Sequence, residues 1–255
     1  MRAIRIRFYA ELNDFLAAAK RHVTFEYEFT GTPSVLDTIE ALGVPHTEVD
    51  VILVDGRSVD FAQRLSGGER IAVYPTFERF DVSPLVRLRP KPLRVTRFVA
   101  DVHLGTLARY LRLLGFDTTW QKDLDDVTII DIACKEQRII LTRDKGILRN
   151  GRVTHGYWVR ATEPLVQLEE VIAALNLGCA PKAYSRCMQC NGELHSISRM
   201  QAYRAVPLQV FLVFREFTRC PSCDRVYWRG SHGKKLKAII ERAKAAGLNE
   251  DGNTS

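Results

Sequence analysis

The chain has no run that approaches the roughly 18 apolar residues a membrane span requires. Its opening stretch, MRAIRIRFYAELNDF, scatters charges where a secretory signal needs an unbroken apolar core. Both absences argue for a cytoplasmic protein with no membrane partner. There is no G-x-S-x-G elbow, no Walker loop and no G-x-G-x-x-G fingerprint, so serine hydrolase, NTPase and Rossmann oxidoreductase readings have no support. No repeat of solenoid period is present. His22, His46, His155 and His195 are scattered without ligand spacing. Compositional bias is missing too: 46% hydrophobic, 26% charged, 16 Gly and 10 Pro in 255 residues exclude collagen-like, low-complexity and wholly disordered chains.

What the sequence does have is an uneven charge. Lys plus Arg against Asp plus Glu is 11 to 13 over residues 1–90, 13 to 11 over 91–180 and 13 to 6 over 181–255, so the whole surplus of +7 is C-terminal. A basic third on a near-neutral body is the electrostatic footprint of a surface that docks on phosphates, although a solvated face gives the same count. The length suits one large domain or two smaller ones.

Residues 1–80 read as a unit of their own. Ala3–Ala10 and His22–Phe29 alternate apolar with polar residues, as half-buried strands do. Ser34 is placed to cap a helix carrying Val35, Leu36, Ile39 and Leu42 on one face and stopping at Gly43. Strands at Val51–Val54 and Ile71–Tyr74 follow. The order strand, strand, helix, strand, strand resembles the ubiquitin-like β-grasp fold, and GGERIAVYP resembles the last strand of its sulfur-carrier relatives. A sulfur carrier needs a free Gly-Gly carboxyl terminus, and 187 residues follow Gly68, so Gly67-Gly68 reads as a turn and the unit as a docking module for a protein partner. Pro84, Pro90 and Pro92 mark residues 81–93 as a linker.

Beyond the linker, strands alternate with helices: Arg97–Ala100, a helix over Leu104–Leu114 ending at Gly115, Asp117–Trp120, a helix from Asp125-Asp126 through Glu136, Ile139–Thr142 and a strand beginning at Tyr157. That alternation predicts a parallel sheet with helical crossovers over residues 94–180. In such sheets ligands bind beyond the carboxyl ends of the strands. Asp101 and Asp144 both stand where a buried strand runs out, and Asp125-Asp126 supplies a third acid. Convergent carboxylates of this kind suit Mg²⁺ or Mn²⁺, which want hard oxygen ligands and keep several waters. Each acid also has a structural explanation: Asp126 and Asp101 as helix caps, Asp144 as the start of a D-K-G turn.

Six cysteines divide into two lone ones, Cys134 and Cys179, and two C-x2-C pairs, Cys187/Cys190 and Cys220/Cys223, with 29 residues between the pairs. Two knuckles at this spacing predict a four-thiolate structural zinc site, a zinc ribbon over residues 181–245 with Leu208–Phe214 as one of its strands. A basic segment follows the second pair, with Arg229, His232, Lys234, Lys235 and Lys237 beside Tyr227 and Trp228. Cations meet phosphates and aromatics stack on unpaired bases, which suits single-stranded RNA; the two aromatics equally suit packing of the ribbon. Residues 246–255 read as a disordered tail.

RFVADVHLGTLARYLRLLGFDT, DLDD, RIILTRDKGIL, YWVRATEPLVQLEEV, RCMQCNGEL and RCPSCDRVYWRGSHGKKL occur in that order, and together they resemble the Mut7-C RNase domain family over about residues 94–240. The resemblance implies an α/β and α+β multidomain chain: an N-terminal ubiquitin-like β-grasp domain, a PIN-like parallel α/β/α core and a C-terminal zinc ribbon. It implies a metal-dependent endoribonuclease whose acids are Asp101, Asp126 and Asp144 with Asp125 beside them, holding Mg or Mn. Arg109, Arg112 and Arg143, with Lys145, would contact RNA, whether tRNA, mRNA or ribosomal RNA on the ribosome. His103 and Thr106 depart from the family pattern of a long apolar residue and an Arg. The alternative is a non-catalytic RNA- or ribosome-binding protein with a vestigial acidic pocket.

Overall fold

Alternation sets the first strand. In β1 (Arg2–Phe8) Ile4, Ile6 and Phe8 are buried while Arg5 between them is exposed, each buried side chain contributing about 1.5–3 kcal/mol. A computed structural model describes residues 1–75, 96–175, 177, 182–228 and 233–248. Its contacts divide into two units, Met1–Arg94 with Asp144–Trp158, and Val95–Arg143 with Val159–Ser255. The expected linker lies outside the described residues.

In the first unit β1 pairs antiparallel with β2 (Phe25–Phe29) and parallel with β5 (Arg70–Pro75). β5 also pairs antiparallel with β3 (Val49–Val54), which carries β4 (Arg57–Val59) on its far edge. The order β2-β1-β5-β3-β4, with the chain crossing through α1 (Val35–Ala41), is the expected β-grasp arrangement. Ser34 caps α1 in a reciprocal box with Asp37, and Gly43 ends it at φ +97°. Gly67 and Gly68 are both left-handed, at φ +101° and +93°, and lead into β5 as the turn their position suggested.

The second unit holds a parallel sheet. β6 (Arg97–Ala100) lies between β7 (Asp117–Thr119) and β8 (Ile139–Thr142), parallel to both. α2 (Gly105–Leu114) buries Leu107, Leu111 and Leu114, and α3 (Asp126–Glu136) crosses from β7 to β8.

The excursion Asp144–Trp158, which carries α4 (Lys145–Leu148) and β9 (Gly156–Trp158), groups by its contacts with the N-terminal residues. The Trp158 ring sits 4.8 Å from that of Phe15, the Trp158 N–H donates to Glu48 at 2.9 Å, and His46 Nε2 lies 2.9 Å from the Val153 carbonyl oxygen.

The rest of the second unit is helical and ribbon-like. α5 (Pro164–Ala174) packs on α2. The strands β10 (His195–Ile197), β11 (Phe217–Arg219) and β12 (Val226–Trp228) form an antiparallel sheet. Two short helices, α6 (Arg199–Ala202) and α7 (Leu208–Val213), interrupt it. The apolar run Leu208–Phe214 is thus a helix and not the strand its composition suggested. Pro207 fixes an extended N-cap, and the Arg199 guanidinium takes the Phe211 and Phe214 carbonyls at 3.0 and 2.7 Å, groups a strand would have offered to a neighbour. The last helix, α8 (Gly233–Leu248), packs on α5, so residues 246–248 of the expected tail are helical and 249–255 lie outside the described residues.

Candidate active site and metal centre

Three buried apolar residues, Phe98, Val99 and Ala100, carry the chain to Asp101, which is itself only 5% exposed. Its N–H still joins the sheet through the Leu141 carbonyl at 2.9 Å. One carboxylate oxygen accepts the His103 N–H at 3.2 Å and caps a short 3₁₀ turn. The other accepts the Thr142 hydroxyl at 2.8 Å, from the end of β8. A carboxylate has about four lone-pair sites, and these two bonds leave oxygen donors for a hard cation. Thr142 was not singled out in the sequence, where a threonine ending a strand is unremarkable. Trp120 also went unnoticed: its indole N–H donates to the Val102 carbonyl at 3.2 Å, and a methyl on Gly105 would come within 2.6 Å of its ring.

Asp125, not Asp126, is the N-cap of α3, accepting the Thr128 N–H at 2.7 Å. That bond holds its carboxyl below the ordinary 3.8. Asp126 is exposed in the first turn. Asp144, exposed two residues beyond β8, caps α4 through the Gly146 N–H at 2.6 Å. Among the described residues, the one group of three or more ligand-type side chains with converging donor atoms is made of cysteines.

The basic residues separate sharply. Arg109 is exposed on α2, and Lys235 and Lys237 on α8. Arg112 corrects the expectation of a phosphate contact, because it is 2% exposed and its guanidinium is engaged by backbone carbonyls: Thr118 at 2.8 Å, Gln189 at 2.9 Å, Met188 at 3.3 Å and Trp120 at 3.4 Å. Arg143 donates to the Arg160 carbonyl at 3.2 Å and to that of Ala161. Lys145 stacks its ammonium over the rings of Trp158 and Phe15, at 3.9 and 4.7 Å. Arg229, His232 and the Lys234 side chain lie outside the described residues.

The four predicted zinc ligands do converge. Cys187, Cys190, Cys220 and Cys223 bring their sulfurs within 4.8 Å of one another, with Cys187 to Cys223 at 3.6 Å and Cys190 to Cys220 at 3.4 Å. Tetrahedral Zn–S bonds of about 2.3 Å fit that spacing. The two knuckles share one backbone plan. In each, the residue after the second cysteine is left-handed, Asn191 at φ +72° and Asp224 at +63°, and its N–H returns to the first cysteine's carbonyl, at 2.9 and 2.8 Å. Asn and Asp are the side-chain-bearing residues most at home there. A methyl on Gly192 would lie 2.9 Å from the Cys220 sulfur, so this glycine leaves room for the metal cage.

Charge around the centre is graded. Burial pushes the Cys187 thiol up, but the Tyr227 hydroxyl at 3.0 Å and the N–H groups of Cys190 and Gln189 outweigh it and bring it down to about 6. Burial, with the neighbouring sulfurs, pushes Cys190 up to about 12. Burial also lowers Arg112, while the charges of Cys187 and Cys190 oppose that shift. The first knuckle is fastened to the parallel sheet by Asn191, which accepts the Thr118 N–H at 3.0 Å and donates to Asp117 at 2.7 Å. Asp117 in turn pairs with Arg138 at 2.7 Å. None of these three residues stood out in the sequence, since their partners lie 21 to 74 residues away.

Comparison with known proteins gives two family matches, the Mut7-C RNase domain over residues 96–240 and the Mut7-C ubiquitin domain over residues 1–81. Among solved structures, small archaeal modifier protein 1 of H. volcanii is 17% identical, covering 30% of this chain and 100% of its own at a TM-score of 0.25. A putative molybdopterin converting factor subunit 1 from Pyrococcus furiosus is 23% identical over 30% of this chain and 100% of its own, with a TM-score of 0.24. No curated protein matches the chain. Among the described residues, no helix is long and apolar enough to cross a membrane.

Proposed function

The chain belongs to the Mut7-C RNase domain family, and on that premise we propose that it hydrolyses RNA phosphodiesters endonucleolytically at the carboxyl edge of the parallel sheet. The observation that carries the reading is Asp101, a buried carboxylate at the end of a central parallel strand, oriented by the Thr142 hydroxyl of the adjacent strand. Asp101, Asp126 and Asp144 would hold Mg²⁺ or Mn²⁺, hard ions matched to carboxylate oxygens. Such an ion, when bound, lowers the pKa of a water and neutralises phosphate charge. The chain's own contribution is positioning. Thr142 and the His103 N–H fix Asp101, the Thr128 N–H fixes Asp125, and exposed Arg109, Lys235 and Lys237 attract the phosphate backbone. Zinc at the four cysteines is structural, because four thiolates fill its coordination sphere. The β-grasp domain recruits a protein partner.

A second reading, a non-catalytic RNA-binding protein, draws on the cysteines being the one converging ligand group among the described residues. One experiment separates the two: incubation of total RNA, including tRNA and ribosomal RNA, with zinc-loaded protein and Mg²⁺, Mn²⁺ or no added divalent ion, beside an Asp101→Asn, Asp144→Asn chain. Discrete products that require the added ion and vanish in the double variant are expected. Salt-sensitive binding with no cleavage under any ion would favour the second reading.

A further inference from the structure

The ribbon sheet has two faces, and one is already filled. Ile197 and Phe217 lie in register and join Val226 in a small core with Ala202 and Val206. Successive side chains on a strand point to opposite faces, so the intervening row faces the other way. That row is Ser196, Thr218 and Tyr227, which the same register sets side by side across β10, β11 and β12. Three hydroxyl-bearing side chains therefore form one stripe.

The stripe lines a cavity of about 570 Å³, within the roughly 300–1,000 Å³ of small-molecule sites. Leu113, Leu194 and Leu236 give it aliphatic walls. Three cations, Lys182, Arg186 and Arg215, line it against one acid, Glu216. Arg186 is engaged by the Asn191 carbonyl and Asp117. Lys182 and Arg215 are exposed, and among the described residues neither side chain makes a hydrogen bond or ion pair. Apolar walls, a row of hydroxyls and two uncommitted cations match a planar heterocycle joined to a phosphate. RNA offers that unit only where a base is unpaired and can be splayed out.

We propose that this cavity is a pocket for one unstacked nucleotide of single-stranded RNA, separate from the acidic site; the proposal rests on the RNA reading above. The Tyr227 hydroxyl, on the stripe, also touches the Cys187 sulfur, so the pocket's floor and the zinc centre share a side chain.

The test uses full-length, zinc-loaded protein carrying Asp101→Asn and Asp144→Asn, so that RNA survives the measurement. Fluorescence anisotropy with a labelled single-stranded oligoribonucleotide and with its duplex reads binding, and zinc content reads folding. Adding Lys182→Ser and Arg215→Ser is expected to weaken single-strand binding about tenfold or more, the scale of a lost charge-assisted contact, with little effect on the duplex. Ser196→Phe, which fills the stripe, is expected to do the same with both cations in place. Single-strand binding unchanged in both variants would overturn the pocket while leaving the RNA reading intact. If neither RNA form binds and the unvaried chain cuts none, the RNA reading fails. A nucleoside monophosphate that binds where RNA does not would overturn the assignment to RNA in favour of a free nucleotide.

Discussion

Replacing Arg112 with methionine removes a guanidinium and keeps an unbranched side chain of similar reach, so it isolates the four carbonyl bonds from packing. The two short bonds, to Thr118 at 2.8 Å and Gln189 at 2.9 Å, are charge-assisted and worth about 1.5–3 kcal/mol each. The cost of burying the guanidinium, visible in its lowered pKa, offsets part of that. Carbonyls left without a donor add a penalty in the other direction. The expected net loss is about 3 kcal/mol, or about 6–12 °C in the melting temperature of a unit this size. Loss of a positive charge that faces Cys187 and Cys190 should also speed zinc release to a chromophoric chelator. Thermal unfolding by circular dichroism and the chelator assay read the two effects, with Arg109→Gln as an exposed control on the same helix. If Arg112→Met melted within about 2 °C of the parent, kept its zinc and lost RNA affinity, the inward role argued for Arg112 would be wrong.

Asp117 and two left-handed glycines, Gly115 and Gly68, carry further outcomes. Burial pushes the Asp117 carboxyl up, but hydrogen bonds from Arg138 and Asn191 and the charges of Arg138 and Arg186 prevail and hold it below 3.8. A depressed carboxyl stabilises the fold above its unfolded pKa and stops doing so as pH falls through the folded one. The parent's melting temperature should therefore drop more steeply than that of Asp117→Asn as pH is lowered from about 5 to below 3.8. At neutral pH that variant, which leaves Arg138 with Glu136 at 2.6 Å as its carboxylate partner, should be less stable by about 1.5–3 kcal/mol, the worth of one charge-assisted hydrogen bond; parallel melting curves in pH would reveal the opposite if the pair is idle. Gly115→Ala should cost about 1–3 kcal/mol or more, because φ is +98° and the added methyl would lie 2.6 Å from the Lys182 carbonyl oxygen. Gly68→Ala, at φ +93° with open space around it, isolates the conformational cost alone, and denaturant midpoints that ranked the two equally would discount the contact.

Sequence legibility tracked how local each determinant is. β6 and β8 begin and end where the sequence indicated, since each is an apolar run closed by a polar residue and buried on both faces. Ser34, Gly43 and the two knuckles were equally legible because caps, turns and C-x2-C spacing act within a few residues. Arg112 misled, since an arginine on an amphipathic helix ordinarily faces water and two of its acceptors lie 76 and 77 residues away. Leu208–Val213 misled for the opposite reason: an apolar run has no visible period, and Pro207 with Arg199 decided the outcome. The choice between Asp125 and Asp126 as cap turned on one residue of helix phase, which pattern alone does not fix.

The excursion Asp144–Trp158 has a consequence for how the protein is made. The N-terminal unit takes contacts from residues that the ribosome adds only after Arg97–Arg143 has been made, so the Trp158 ring reaches Phe15 only after the stretch containing β6 and β8 exists. A nascent chain stalled at the proline-rich stretch would hold a β-grasp unit whose Phe15, His46 and Glu48 still wait for Trp158 and Val153. The same interleaving limits dissection by truncation. Removing residues 1–85 strips Asp144–Trp158 of Phe15, Glu48 and His46, and so disturbs a stretch that begins with a candidate acid. Loss of activity in such a fragment would report on broken support as much as on an absent partner, and intact two-unit protein with point substitutions is the preparation that keeps the two apart.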